Sequence, residues 1–159
     1  MQVLTPPQAI IEDKQVVVFL AGSIEMGTAK EWQQVAIDLF DSMIPEGKRT
    51  DYLLLNPRRP DWDSSWKQEI GNPKFYEQVK WELKGLQLAD HIIVYFDPAT
   101  KSPVSLLELG AFHNKAIVIC PEGFWRKGNV DIFCEVFKVK QAPDLKSAVE
   151  LIVGVKHQA

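Results

Sequence analysis

Cysteine is scarce in this sequence. Its 159 residues include two cysteines, Cys120 and Cys134, and neither belongs to a CxxC pair or to a cluster of histidines and cysteines. Because a disulfide framework and a structural zinc site both need such groupings, the sequence argues against both. We interpret the two thiols as small buried apolar side chains in a reducing compartment, and we predict no metal site.

Long hydrophobic runs and long basic runs are also missing. No apolar run approaches the roughly 18 residues of a membrane span, and residues 1–13 lack the basic and apolar regions of a signal peptide. No Lys/Arg run exceeds two residues, and the formal net charge is −3. A protein that binds nucleic acid polymers usually carries a basic stripe. The sequence therefore predicts a cytoplasmic protein that has neither a membrane nor a nucleic acid polymer as its partner.

Short apolar runs alternate with stretches of helical spacing along the chain. Hydrophobic residues make up 46% and charged residues 25%, as in an ordinary globular protein, and 159 residues suffice for one domain. The runs that predict strands lie at 15–20, 52–56, 91–96, 116–120 and 137–139. The stretches that predict helices lie at 28–43, 74–89, 105–114, 130–137 and 144–155.

This alternation predicts the fold class. Strands that are apolar throughout are buried on both faces of a sheet, and strands that alternate with helices run parallel. The sequence therefore predicts an α/β fold, a single-domain three-layer sandwich over residues 1–159 with about five parallel strands, flavodoxin-like or Rossmann-like. In such sheets ligands bind beyond the carboxyl ends of the strands. That rule gathers four segments around one site: 21–27, 56–66, 97–105 and 121–129.

The turn after the first predicted strand carries a weak ligand signal. Gly22 and Gly27 do not complete the dinucleotide fingerprint GxGxxG, and no Walker lysine follows them. NAD-dependent hydride transfer and ATP hydrolysis therefore lose support. Gly22 and Ser23 can still offer backbone N–H groups and a hydroxyl to a small ligand. The alternative is a plain tight turn.

The polar loop over 56–66 is unusual in composition. It contains two tryptophans, two arginines and two aspartates. The rings of Trp62 and Trp66 can stack on a planar ligand. Polar side chains of the same loop can bind the ligand's edge, among them Arg58, Asp61 and Asp63. The alternative is a loop that its tryptophans hold against the surface.

Two glutamates are candidate catalytic groups. Glu108 lies near the start of the helix predicted over 105–114, where the helix dipole stabilises a carboxylate as the anion. A partly desolvated carboxylate there can act as a nucleophile, although an ordinary first-turn glutamate is the alternative. Glu82 lies on the helix predicted over 74–89, close to Gln78. A glutamate on the wet face of a helix is by itself weak evidence for catalysis.

Four segments, taken in order, resemble the nucleoside 2-deoxyribosyltransferase family, most closely its second and more divergent branch. They are Phe-Leu-Ala-Gly-Ser at 19–23, Tyr-Glu-Gln-Val-Lys-Trp-Glu at 76–82, Leu-Ala-Asp at 88–90 and Ser-Leu-Leu-Glu-Leu-Gly at 105–110. The resemblance extends over about 16–136. It implies an enzyme that exchanges the bases of 2′-deoxynucleosides with retention and needs no cofactor, and it implies nucleosides and nucleobases as partners.

The resemblance also implies residue roles. Glu108 matches the nucleophile that attacks C1′ of the sugar, and Glu82 matches an acidic residue that helps to protonate the leaving base. Asn129 lies in a segment that completes a neighbouring subunit's site in the family, which implies a homo-oligomer with shared active sites. The expected substrate-binding residues are Gly22, Ser23, Arg58, Asp61, Trp62, Asp63, Tyr76, Asp97 and Asn129.

The chain departs from the family at one position and leaves other functions open. Ser102 stands where the original branch has an acidic residue that binds the sugar hydroxyls, so we expect Asp97 or a residue of 56–63 to take that role. A hydrolase of nucleosides or nucleoside 5′-monophosphates is one alternative, with Ser23 and Arg58 or Arg59 holding the phosphate. A non-catalytic nucleotide-binding module and a plain structural α/β domain are the others.

Overall fold

The computed structural model describes residues 1–14, 16–25 and 29–154, and within them six strands form one parallel sheet. The strands are β1 (Gln2–Leu4), β2 (Val16–Gly22), β3 (Tyr52–Leu55), β4 (His91–Tyr95), β5 (Ala116–Ile119) and β6 (Lys140–Gln141). Their order across the sheet is β1-β3-β2-β4-β5-β6, and every neighbouring pair is parallel. The fold is therefore the predicted α/β class.

Five helices cover the two faces of this sheet in the described part of the chain. They are α1 (Trp32–Met43), α2 (Pro73–Leu88), α3 (Pro103–Phe112), α4 (Lys127–Phe137) and α5 (Leu145–Val153), with short 3₁₀ turns at Glu46–Asp51 and His113–Lys115. The apolar core has two layers. One layer lies between the sheet and α2, α3 and α4, and the other lies between the sheet and α1 and α5.

Strand β2 shows why the sheet is buried on both faces. Val17, Phe19 and Ala21 belong to the first layer of the core. Val16, Val18 and Leu20 belong to the second, because successive side chains of a strand point to opposite faces. An apolar run without polar interruption is what such a central strand requires.

Two strands differ from the sequence-based expectation. β1 was not predicted, because three residues are too few to form a periodic pattern; it pairs with β3, with Val3 opposite Leu54. The last strand was predicted at 137–139 and lies at Lys140–Gln141 instead. The reason is that α4 continues to Phe137 and Lys138 then ends it in the left-handed conformation, with φ of 55°.

Helix boundaries follow from local capping. Asn72 caps α2 by accepting hydrogen bonds from the N–H groups of Lys74 and Phe75, and Pro73 occupies the first helical position. Helix α3 also begins at a proline, Pro103, two residues before the predicted start. Helix α1 begins at Trp32, later than predicted; the first residue of that prediction, Thr28, lies outside the described residues. Gln15 and Val155, at the ends of two other predicted elements, also lie outside them.

Gly22 ends β2 where the backbone of β4 passes very close. Its φ is +131°, and a Cβ at this position would lie 2.3 Å from the carbonyl oxygen of Tyr95. Such a distance excludes every residue with a side chain. The carboxyl end of the central strand therefore carries no side chain at Gly22, and Gly22 lines a cavity at this edge of the sheet.

Candidate active site

A large cavity lies at the carboxyl ends of the strands, where the fold class predicts a ligand. Its volume is about 1030 Å³, which is within the upper range of small-molecule sites. Three of the four predicted segments contribute to its wall, together with the start of α1 and the inward faces of α2 and α3. Glu82 of α2 and Glu108 of α3 both lie on this wall.

The two glutamates titrate abnormally because the cavity is poorly solvated. Burial raises the pKa of Glu82 to about 7, and the hydrogen bond that Gln78 donates to it works in the opposite direction. Burial, together with a smaller contribution from the charge of Glu82, raises the pKa of Glu108 to about 8. Since each carboxyl affects the other, they titrate as a pair. Between about pH 7 and about pH 8 the pair holds a single proton, which lies mainly on Glu108 because its pKa is the higher of the two.

The raised pKa of Glu108 corrects the expectation from the helix dipole. We expected the start of α3 to stabilise Glu108 as an anion. Helix α3 begins at Pro103, which places Glu108 in its second turn, and the dipole effect falls off within the first turn. Burial therefore dominates, and the protonated form of Glu108 is favoured.

This burial has a measurable cost for the fold. A carboxyl whose pKa is raised from 4.5 to about 8 supports the folded state fully below pH 4.5, and that support is lost as the pH rises through about 8. Glu108→Gln removes the ionisation. We expect urea unfolding to show the variant more stable than wild type by on the order of 2 kcal/mol at about pH 9, and nearly equal at about pH 5. A difference independent of pH would contradict the burial of this charge.

Five of the predicted site residues line the cavity: Gly22, Arg58, Trp62, Glu82 and Glu108. The guanidinium of Arg58 is held by the loop before α1, where it donates hydrogen bonds to the carbonyls of Ala29 at 3.1 Å and Lys30 at 3.0 Å. Trp62 packs edge-on against Trp66, with ring centroids 5.1 Å apart. The Nε1 atom of Trp62 is buried and has no hydrogen-bond partner among the described residues.

Ser23 and Asp97 lie in a buried polar network beneath the cavity. The hydroxyl of Ser23 accepts a hydrogen bond from the Asp97 N–H at 2.8 Å and lies 2.6 Å from the hydroxyl of Ser102. The carboxylate of Asp97 accepts from the N–H groups of Lys30 and Ala99, at 2.8 and 2.9 Å. Among the described residues, these contacts link the end of β2 to the end of β4, so Ser23 and Asp97 have a structural role there.

The other predicted residues lie on the outer surface. Asp61 pairs with Arg59, and Asp63 accepts hydrogen bonds from the backbone and hydroxyl of Ser65. Each pairing lowers the pKa of the aspartate. Tyr76 is 46% exposed. Asn129 is exposed in the first turn of α4.

The sequence analysis missed Glu25, which lines the cavity. One oxygen of its carboxylate accepts hydrogen bonds from the N–H groups of Lys101 and Ser102, at 2.6 and 2.5 Å. Glu25 therefore brings a carboxylate to the backbone of Ser102, the position at which the chain departs from the original branch. The contact joins residues 77 positions apart. No local pattern in the sequence could have indicated it.

The described residues contain no group of three or more His, Cys, Asp or Glu side chains placed to bind a metal ion. Within the same residues, no helix combines the length and apolar character of a membrane span.

Comparison with known proteins identifies the family of this chain. A family model described as "Nucleoside 2-deoxyribosyltransferase like" matches residues 15–124, a span that includes both Glu82 and Glu108. No curated protein sequence matches the chain significantly. The match covers well over half of the chain and confirms the resemblance found in the sequence. The chain belongs to the nucleoside 2-deoxyribosyltransferase-like family.

Proposed function

We propose that the protein is a nucleoside 2-deoxyribosyltransferase that exchanges the base of 2′-deoxynucleosides through a covalent glycosyl–Glu108 intermediate. The observation that carries the proposal is the coupled pair of carboxyls, Glu82 and Glu108, on the wall of one cavity. Family membership supplies the substrate class. Breaking an N-glycosidic bond needs a carboxylate for the sugar and a proton for the base. The single proton of the pair favours Glu108, so the reaction requires this proton to lie on Glu82 once the substrate is bound, and that protonation state supplies both groups.

The reaction proceeds in two balanced steps. The Glu108 carboxylate attacks C1′ and forms an ester, while the electron pair of the C1′–N bond passes to the base nitrogen and the base takes its proton from Glu82. The incoming base then attacks C1′ and gives a proton back to Glu82, and Glu108 leaves as a carboxylate. Positive charge builds at C1′ in both steps, and the Glu108 carboxylate stabilises it. Two inversions give net retention.

The charges around the cavity favour a nucleoside over a nucleoside monophosphate. Arg58 is held by backbone carbonyls, and Arg59 is neutralised by Asp61 at 2.8 Å. Glu25, Glu82 and Glu108 all line the cavity. These carboxylates would repel a dianionic phosphate, and both guanidiniums already have hydrogen-bond partners among the described residues. The monophosphate alternative, which needs Ser23 and Arg58 or Arg59, therefore has less support.

Product analysis tests the proposed function. The protein is incubated with 2′-deoxyinosine, with and without adenine, and the products are separated by chromatography. We expect deoxyadenosine that depends on adenine. Hypoxanthine released equally with and without adenine would instead identify a hydrolase. Binding of nucleosides without turnover of purine or pyrimidine substrates would identify a non-catalytic module.

The proposal includes a homo-oligomer in which Asn129 completes the site of a neighbouring subunit. Its support is the resemblance and the exposed position of Asn129 on α4, outside the cavity lining of its own chain. Co-expression of the Glu108→Gln and Asn129→Ala variants tests it. We expect the mixed oligomers to exceed the mean activity of the two separate variants, because some sites receive both intact residues. Activity equal to that mean would contradict a shared site.

A further inference from the structure

Gln78 donates a hydrogen bond to Glu82 in the wall of the cavity. It lies one turn before Glu82 on α2 and is 4% exposed. Its side-chain Nε2 donates to Glu82 Oε1 at 2.8 Å and to the carbonyl oxygen of Pro57 at 3.1 Å. An amide nitrogen carries two hydrogens, so these two contacts use all of its donor capacity.

The orientation of this amide is fixed by its neighbours. A carbonyl oxygen such as that of Pro57 can only accept, so it requires the nitrogen on its side. The guanidinium of Arg59 can only donate, and it lies 3.4 Å from Gln78 Oε1 on the other side. A rotation that exchanged the oxygen and the nitrogen would therefore break both contacts. Gln78 faces Glu82 as a donor.

Arg59 is itself held rigidly by the loop over 56–66. Its guanidinium donates two hydrogen bonds to the carboxylate of Asp61, at 2.8 and 3.0 Å. It lies over the ring of Trp66, 5.1 Å from the centroid, and Arg59 is 6% exposed. Bidentate pairing and stacking restrict a guanidinium strongly. An arginine, an aspartate and a tryptophan of this loop therefore hold one another in place, a role that the sequence analysis did not predict.

We propose that Gln78 is a positioning residue that confines the exchangeable proton of Glu82 to Oε2. Glu82 Oε1 accepts the N–H of Gln78, and the carbonyl oxygen of a protonated carboxyl is a better acceptor than its hydroxyl oxygen, so this bond favours the acidic hydrogen on Oε2. Oε2 is left as the oxygen that delivers the proton to the leaving base. This inference rests on the proposed function for the acid role of Glu82, and the chain Asp61–Arg59–Gln78 is its support.

The hydrogen bond from Gln78 also affects how readily Glu82 gives up its proton. A donor on a carboxylate stabilises the charged form, and Gln78 accordingly lowers the pKa of Glu82 against the larger effect of burial. The charged groups around Glu82 that could alter this balance are Glu108 from α3 and, through Gln78, Arg59 from the loop. Substitution of Gln78 removes neither Glu108 nor Arg59.

The test replaces Gln78 with methionine, which keeps the length of the side chain and removes the donor. Gln87→Met is the matched control, because Gln87 is an exposed glutamine on the same helix. NMR titration of the Glu82 carboxyl carbon reports on the bond without any need for activity. We expect the pKa of Glu82 to rise in Gln78→Met and to stay at the wild-type value in Gln87→Met. An unchanged pKa in Gln78→Met would overturn the proposal.

Kinetics provide the second readout of the same pair of variants. We expect Gln78→Met to lower kcat on the order of ten- to a hundredfold, a part of what general acid catalysis supplies, with KM changed less than about twofold. The loss should be larger for bases that leave poorly. If Gln78→Met shifts the pKa of Glu82 but the wild-type protein shows no base exchange, the hydrogen bond is supported and the proposed function is contradicted. Equal losses for good and poor leaving groups would overturn the positioning role.

If Gln78→Met does not fold, the wild-type protein still decides the matter. The side-chain N–H signals of Gln78 are followed by NMR across the titration of Glu82. We expect one of the two hydrogens to shift with that titration, since a bond to an ionised acceptor is stronger than a bond to a neutral one. Two signals that stay constant through the ionisation of Glu82 would contradict the proposal.

Discussion

Replacement of Glu108 by glutamine is expected to lower kcat for base exchange by on the order of 10⁴-fold or more, as removal of an enzyme's nucleophile commonly does. A neutral amide cannot stabilise positive charge at C1′ or form the glycosyl ester. The side chain keeps its size and remains polar, so we expect the fold to persist. Steady-state kinetics with a deoxynucleoside and an acceptor base, together with circular dichroism, measure both effects.

The control for this variant is Glu150→Gln, the same substitution at an exposed glutamate of α5. Helix α5 packs on the opposite face of the sheet from α2 and α3. We expect its activity to equal that of wild type. Glu108→Ala should be inactive in the same way, because it also lacks the carboxylate. Turnover near the wild-type level in either Glu108 variant would remove Glu108 from the nucleophile's role.

Replacement of Glu82 by glutamine is expected to change the pH profile as well as the rate. In wild type, kcat/KM should fall on the acid side as Glu108 becomes protonated and on the alkaline side as the pair loses its last proton. Glu82→Gln removes the alkaline fall. The acid limb should move little, because in wild type Glu82 is still protonated and uncharged where Glu108 loses its proton in the active form. A variant profile that keeps its alkaline fall would contradict the assignment of the last proton to Glu82.

The rate loss in Glu82→Gln should depend on the leaving group. For a base that leaves poorly, we expect kcat to fall on the order of 10²- to 10⁴-fold, the usual contribution of a general acid. A substrate with an intrinsically good leaving group needs less protonation, so its rate should fall much less. Equal losses for the two substrates would show that Glu82 acts in binding rather than in proton transfer.

The sequence predicted the central fold because apolar periodicity is a local property. β2, β3 and β5 are uninterrupted apolar runs, and β4 is apolar after its first residue, His91; a parallel sheet buried on both faces requires such runs. The edge strands were harder. β1 is three residues long, and the start of β6 depends on the left-handed Lys138.

The candidate site was predictable only where residues act through their own position on an element. Glu82 lies on α2 and Glu108 lies on α3. The family resemblance, which rests on the order of four motifs along the chain, assigned both residues to one site. Ser23 and Asp97 also follow strands, yet they bond to each other, as the backbone N–H of Asp97 donates to the Ser23 hydroxyl. Nothing in a linear sequence distinguishes a polar group that meets a ligand from one that meets its neighbour.

Long-range contacts account for the rest. Glu25 reaches the backbone of Ser102, and Arg59 stacks on Trp66 and reaches Gln78. The sequence left two roles open for Trp66, stacking on a ligand or holding the loop against the surface, and in the structure the guanidinium of Arg59 lies over its ring. Such contacts join different elements, so they depend on how the elements pack rather than on spacing along the chain.

The central claim is that Glu108 forms a covalent bond to the sugar, and mass spectrometry tests it most directly. The protein is mixed with a deoxynucleoside in the absence of an acceptor base, quenched in acid and digested. We predict that the peptide containing Glu108 gains the mass of one deoxyribosyl group, and that Glu108→Gln gains none. A fully active enzyme whose quenched peptides carry no sugar at Glu108, or carry it at another residue, would contradict the mechanism.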